Sequence, residues 1–299
     1  MSNEMILVTG ATGAQGGATA RRLIEIGLKT RFLTRNIESD AARALTALGA
    51  EAVAGDLDDE ASIARAVQGM AGVFSVQVPG PNETKQGFAL VEQARKAGVP
   101  QFVHTSVAET PNHKLFPGWG TGRWSEGYWT AKWDIEEKVR NAGFPAWTVL
   151  RPAFIMQNFI PPKVDFMFPH LSQSKIITAM RLNTVLQLIS AEDIGAFAAA
   201  AFADPAAFHG YDIDLAAESP TIAEIAVALS QGLGREIRAI ELEPQEAVSQ
   251  GLFPGWVKSQ EWTNEVGYHA DISRLKQFSL KLTSFPEWID RHRDDFQFS

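Results

Sequence analysis

The chain has 299 residues, enough to bury a large core as one elaborated domain or two intimate ones. Its net charge of -8 and pI near 5.3 disfavour nucleic acid as the main ligand, and its lack of cysteine excludes disulfides, thiol catalysis and cysteine metal sites. The six histidines show no H-E-x-x-H spacing, no apolar run is long enough to span a bilayer, and no signal-peptide pattern precedes the first strand, so the expectation is a cytoplasmic protein with no metal and no membrane contact.

Ile6, Leu7 and Val8 form a short apolar run, the pattern of a strand buried on both faces. The run stops at Gly10, and Ala18 to Ile26 reads as a helix with Leu23, Ile24 and Ile26 on its apolar side. Between them Gly10, Gly13 and Gly16 are spaced G-x-x-G-x-x-G. Gly10 permits a tight turn, Gly13 lets the backbone approach a pyrophosphate, and Gly16 lets the helix pack close to the strand. The helix N-terminus then offers N–H groups and partial positive charge to phosphate oxygens. Thr9 and Thr12 add hydroxyls beside the turn.

Thr30 to Arg35 reads as the second strand. Its end is where a dinucleotide fold inspects the adenosine ribose: an acidic residue suits the 2′-hydroxyl of NAD, an arginine the 2′-phosphate of NADP. Arg35 stands there, so NADP(H) is favoured over NAD(H). Ala41 to Leu48 is a helix and Ala52 to Ala54 a third strand ending in Gly55-Asp56-Leu57-Asp58. Asp56 suits the adenine amino group; alternatively Asp56 or Asp58 caps the helix near Asp59 to Val67. Gly72 to Val78 is a fourth strand, with Gln77 a candidate cofactor residue, and it ends at Pro79-Gly80-Pro81, beside where the nicotinamide half of a cofactor would lie. Phe88 to Ala97 is helical, and Phe102 to Ser106 is a fifth strand. Strands alternating with helices across short loops predict a doubly wound parallel α/β sheet.

Pro111 to Tyr128 interrupts this rhythm with Gly118, Gly120, Gly122 and Gly127. Half of the eight tryptophans lie from Trp119 to Trp133, with Trp124 and Trp129 between them. The segment is either a packing cluster or an aromatic lid over a planar substrate. On the second reading Trp119, Trp124 and Phe154 bound a substrate pocket. Trp129 to Asn141 is a helix and Trp147 to Pro152 a sixth strand. Thr184 to Ile189 is strand-like, Ala191 to Phe202 a buried helix, Tyr211 to Leu215 a further strand, and Thr221 to Leu229 a helix with Glu224 at the capping-box position. Leu115-Phe116-Pro117-Gly118-Trp119 recurs as Leu252-Phe253-Pro254-Gly255-Trp256, too isolated to signal a solenoid.

Tyr128 and Lys132 form a Tyr-x-x-x-Lys, and residues four apart share a helix face. A lysine cation near a phenol favours its ionised form and readies it for proton transfer near neutral pH. The same lysine can hold ribose hydroxyls. Ser106, or Thr105 one residue earlier, would complete a carbonyl-polarising pair with Tyr128.

Val8-Thr9-Gly10-Ala11-Thr12-Gly13, Thr34-Arg35-Asn36, Gly55-Asp56-Leu57, Gly72-Val73-Phe74-Ser75, Leu150-Arg151-Pro152 and Ser190-Ala191-Glu192-Asp193-Ile194-Gly195 resemble the NmrA-like branch of the extended and atypical short-chain dehydrogenase/reductases over nearly the whole chain. The resemblance implies an NAD(P)-binding Rossmann domain at 1–155, with 184–217 returning to it, and a smaller C-terminal α+β substrate domain from 156–183 and 218–299. It assigns Gly10, Thr12, Gly13, Gln15 and Gly16 to phosphates, Arg35 to the 2′-phosphate, Asp56 and Leu57 to adenine, and Lys132 to the nicotinamide ribose. Many NmrA-like proteins lack the tyrosine and act as redox sensors or regulators; Tyr128 is a departure toward the catalytic members. The expected function is an NADPH-dependent oxidoreductase passing hydride to a carbonyl, quinone-like or conjugated aromatic small molecule. The alternative is a non-catalytic NADP(H)-sensing regulatory protein with a protein partner.

Overall fold

The computed structural model describes residues 4–298; residues 1–3 and 299, the outermost ends of the expected domains, lie outside the described residues. The chain divides into two compact units. One is built from residues up to Thr110 with Gly127–Pro152 and Ala191–Asp214, the other from Pro111–Glu126, Ala153–Ser190 and the chain from Leu215 onward.

The first unit alternates β1 (Met5–Val8), α1 (Ala14–Glu25), β2 (Lys29–Thr34), α2 (Asp40–Ala47), β3 (Glu51–Ala54), α3 (Glu60–Ala66), β4 (Gly72–Ser75), α4 (Glu83–Lys96), β5 (Gln101–Thr105), α5 (Glu126–Arg140) and β6 (Ala146–Pro152). These strands pair in parallel in the order β6-β5-β4-β1-β2-β3, and strand Tyr211–Leu215 joins the edge beside β6. The chain order reverses between β1 and β4, so the C-terminal ends of these two strands open a crevice where such folds bind ligands. This is the doubly wound α/β class that the alternation of apolar runs and helices predicts.

Leu7, Val73 and Phe102 from the sheet pack with Ile63, Leu90, Val91, Ile135 and Val139 from α3, α4 and α5 in one buried cluster. Helix Ala191–Ala203 packs closely on α1. A Cβ at Gly195 would lie 2.8 Å from the backbone of Ala18, so only glycine permits that approach. Thus one stretch that resembles the NmrA-like pattern serves helix packing.

Several boundaries differ from the sequence expectation. The helix after the first glycine turn begins at Ala14, four residues before Ala18, because Gly16 and Gly17 are helical rather than part of the turn. The fourth strand stops at Ser75, short of Val78. The following helix starts at Glu83, more than a turn before Phe88, and the Tyr128 helix starts at Glu126, so Tyr128 lies within it. Asp59, rather than Asp56 or Asp58, caps α3 by accepting from the Ala61 N–H at 2.9 Å.

The second unit contains two short parallel strand pairs, Lys175–Thr178 with Arg238–Glu241 and Phe154–Ile155 with Leu188–Ile189. The expected strand at Thr184 to Ile189 therefore shrinks to its last two residues. Its core gathers Phe154, Phe159, Phe168, Trp256, Phe285 and Trp288. Helix Ile222–Leu233 has the expected capping box: the Thr221 hydroxyl accepts from the Glu224 N–H, and the Glu224 carboxylate accepts from the Thr221 N–H. No helix among the described residues is long and apolar enough to cross a membrane.

Candidate dinucleotide and proton-transfer site

The first glycine turn is built by close backbone approach. Gly10 has φ +61°, and a Cβ there would meet Val76 Cγ1 at 2.5 Å. The Gly13 N–H donates to Gly10 O at 2.9 Å, and a Cβ on Gly16 would lie 2.4 Å from the same oxygen. Gly13 is the N-cap of α1, no side chain caps the helix, and no acidic residue occupies its first turn. Backbone donors at an uncapped helix start, beside a turn with room only for glycine, suit an anionic pyrophosphate. Thr12 is exposed beside them. Gln15 leans on the sheet, its Oε1 accepting from Thr105 Oγ1 at 2.6 Å. The Thr9 hydroxyl does not add to the turn: it donates to Phe74 O and Val76 O and accepts from the Val76 N–H, locking the ends of β1 and β4 together.

Arg35 is exposed just beyond β2, and no carboxylate pairs with it among the described residues. After β3, Asp56 and Leu57 are half-buried. The Asp56 N–H donates to Ser62 Oγ at 2.9 Å, and its Oδ1 accepts from the Asp58 N–H at 3.0 Å. Gly55 holds this turn against β2, since a Cβ there would strike Leu33 at 2.6 Å.

Beyond β4, Gln77 is buried and donates through Nε2 to Ser75 Oγ at 3.0 Å, which also contacts His104 Nδ1 at 3.1 Å. Gln77 Oε1 and His104 Nε2 have no partner among the described residues. A buried acceptor left open at this end of the sheet fits an amide donor of a ligand. Burial, helped by the nearby Lys132 charge, pushes His104 down to about 3, so its ring is neutral at physiological pH.

That shift predicts part of the acid sensitivity of the fold. The unfolded chain takes up this proton near the ordinary histidine value and the folded chain only near 3. The unfolded state therefore binds more protons as pH falls through that window, and stability drops by an amount on the order of a few kcal/mol. His104→Gln should flatten the decline in denaturant midpoint between pH 7 and pH 4; an unchanged decline would refute it.

On α5, Tyr128 is half-buried and Lys132 is 5% exposed. Lys132 Nζ lies 5.6 Å from the Tyr128 ring centroid, so the Tyr-x-x-x-Lys spacing does bring the two together. Lys132 Nζ also lies 2.6 Å from Glu83 Oε1, in an ion pair whose side chains are 7% and 1% exposed. Sequence reasoning missed Glu83 because it began the helix at Phe88 and left Glu83 in a loop. Ser106 and Thr105 divide differently from a simple choice of register. The Thr105 hydroxyl donates to Gln15, while buried Ser106 Oγ meets Thr110 Oγ1 at 3.4 Å.

Arg151, in the Leu-Arg-Pro stretch, is structural. It donates to buried Glu136 at 2.7 Å and to Asp212 at 2.9 Å, and Arg140 joins both carboxylates. The network ties α5 to β6 and strand Tyr211–Leu215. At its margin burial pushes Asp214 up to about 6, opposed by Arg151.

In the second unit, Trp124 is 3% exposed and donates to Pro117 O at 2.7 Å, with the Arg123 guanidinium 4.3 Å above its ring. Phe154 is 4% exposed and stacks on Trp256 within the core. Trp119 is half-buried, edge-on to His113 and Phe116. The glycine-rich stretch is latched. The Gly120 and Gly122 N–H groups donate to Glu126, Lys258 donates to Gly122 O at 2.6 Å, and Arg123 forms a bidentate pair with Glu265. The pentapeptide repeat is not a structural one: Phe116 is buried and Phe253 half exposed, because the second copy starts helix Pro254–Glu265 and the first does not.

A parallel doubly wound sheet with this glycine turn places the protein in the Rossmann class of α/β proteins. The chain belongs to the NmrA-like family, whose model matches residues 2–289. It is 31% identical over 257 residues to the NAD(P)H azoreductase of Xenophilus azovorans, covering 83% of this chain and 81% of that one. Its fold is similar to that of the Citrobacter sp. triphenylmethane reductase complexed with NADP(H), with a TM-score of 0.78 and 18% identity over 97% of this chain and 99% of that one. It is also similar to that of NmrA, a negative transcriptional regulator, in complex with NADP, with a TM-score of 0.76 and 19% identity over 97% of this chain and 95% of that one.

Proposed function

We propose that the protein is an NADPH-dependent reductase of the short-chain dehydrogenase/reductase type that reduces planar conjugated small molecules of quinone, azo or aromatic carbonyl character. The observation that carries this reading is the placing of Lys132 Nζ 5.6 Å from the Tyr128 ring on one face of α5. The 31% identity to an NAD(P)H azoreductase supports it. The cofactor, when bound, supplies the hydride. The first-turn N–H groups of α1 and the glycines before it hold its phosphates, Arg35 its 2′-phosphate, Asp56 and Leu57 its adenine, and Gln77 its carboxamide. Lys132 holds a ribose hydroxyl and favours the ionised phenol; Tyr128 delivers a proton to the acceptor, and Ser106 polarises it. Of the expected substrate residues, Trp124 and Phe154 are buried in the packing of the second unit and Trp119 is half-buried.

The test is NADPH oxidation with a panel of quinones, azo dyes and aromatic aldehydes. Turnover on a member of the panel is expected. Tight NADPH binding with no turnover on any member would favour the sensing function instead, a reading that the likeness to the NmrA regulator supports.

Cofactor choice is a separate expectation. NADPH should bind about ten- to hundredfold more tightly than NADH, the worth of a charge-assisted bond to phosphate. Arg35→Ala should remove most of that difference while leaving NADH affinity in place. Equal calorimetric affinities of the parent for the two cofactors would exclude the assignment.

A further inference from the structure

Lys132 does not stand alone on the Tyr128 face. Its ammonium lies 2.6 Å from Oε1 of Glu83, the first residue of α4, an ion pair set by proximity, since that oxygen accepts no well-directed hydrogen bond. Both side chains are almost wholly removed from water. The meeting is built into the packing of α4 on α5. Gly87 lies one turn after Glu83, and a Cβ there would strike Ile135 Cδ1 at 2.6 Å. Ile135 lies three residues after Lys132, on the same side of α5. The bare backbone at Gly87 thus lets the helices come close enough for a carboxylate on one to reach an ammonium on the other.

A buried ion pair stabilises a fold little better than apolar side chains of the same volume. What this pair provides is a cation held at one point beside the phenol. We infer that Glu83 is the positioning residue of this site: it fixes the Lys132 ammonium and thereby sets the upper pH limit of cofactor binding and, on the reductase reading proposed above, of proton delivery by Tyr128.

Among the described residues, Lys132 interacts with Glu83 from α4, Tyr128 on α5 and His104 from β5. His104 is neutral at physiological pH and brings no compensating charge. Without Glu83 the buried ammonium has no counter-charge, and low-dielectric surroundings favour its neutral form. The same change takes a negative charge from the neighbourhood of the phenol and favours phenolate. Both effects move the alkaline limit to lower pH.

The experiment compares the parent with Glu83→Gln, which keeps the shape, and Glu83→Asp, which keeps the charge. NADPH affinity is measured by fluorescence titration from pH 7 to 9, and turnover is followed over the same range. Glu83→Gln is expected to bind NADPH about tenfold more weakly at pH 9 than at pH 7, against a near-constant parent, and its turnover limb should move down by roughly one pH unit. Glu83→Asp should restore most of both. Parent-like pH dependence in a folded Glu83→Gln overturns the proposal.

If Glu83→Gln does not fold, Lys132→Met is compared with Lys132→Met/Glu83→Gln. The second substitution should change neither affinity nor its pH dependence, and an added change in either overturns the proposal. The binding arm needs no turnover. A shifted binding profile in a protein that reduces nothing upholds Glu83 and removes the reductase reading. An unshifted profile in an active enzyme does the reverse, and a parent that binds no NADPH overturns both.

Discussion

Tyr128→Phe is expected to lower turnover by roughly 10² to 10⁴, the worth of a positioned proton donor, with NADPH affinity nearly unchanged. The ring survives the substitution, and so does its edge-on contact with Trp129, at 5.3 Å between centroids. The lost atom is the phenol oxygen, on a helix that begins two residues earlier at Glu126 and holds the ring in register with Lys132. Sequence alone left the phenol at the foot of a glycine-rich approach. The structure sets it in the first turn of α5, two residues after the helix begins, which favours a fixed donor over one that arrives with a lid. Single-turnover rates on an acceptor that the parent reduces decide the matter; a Phe variant as fast as the parent would mean that another group delivers the proton.

Lys132→Met has the largest expected effect on the fold itself. Methionine fills much of the lysine volume but leaves the Glu83 side chain, 1% exposed, with no counter-charge. Removing one partner of a buried pair costs about 3–5 kcal/mol, so the melting temperature should fall by roughly 10 °C. Part of the loss should return at acid pH, where Glu83 can take a proton and become neutral. Adding Glu83→Gln should recover stability at neutral pH as well, because an amide needs no counter-charge. Neither route should restore turnover, since the cation beside Tyr128 is gone in both. Calorimetry of the two variants separates these roles, and a Lys132→Met protein as stable as its parent would show that leaving Glu83 without its counter-charge carries no such cost.

The amino-acid sequence by itself determined what depends on neighbours along one element. Three glycines at fixed spacing between an apolar run and a helix specify the first turn. The Tyr128–Lys132 spacing specifies a shared helix face, and Thr221 with Glu224 specifies a capping box. Alternating strands and helices specify the class of sheet. The tertiary structure decided which groups from different elements meet. Glu83 reaches Lys132, His104 and Gln77 share Ser75, and Arg151 joins Glu136 to Asp212. It also turned Trp124 and Phe154 into packing residues and shortened the strand before Ile189. The physical reason lies in how close two elements come. Gly87 and Gly195 set that distance here because a side chain at either would collide with the facing helix. In the sequence Gly195 lies within an expected helix and Gly87 just before one, each marked only by its weak helix propensity. What it faces belongs to the packed chain.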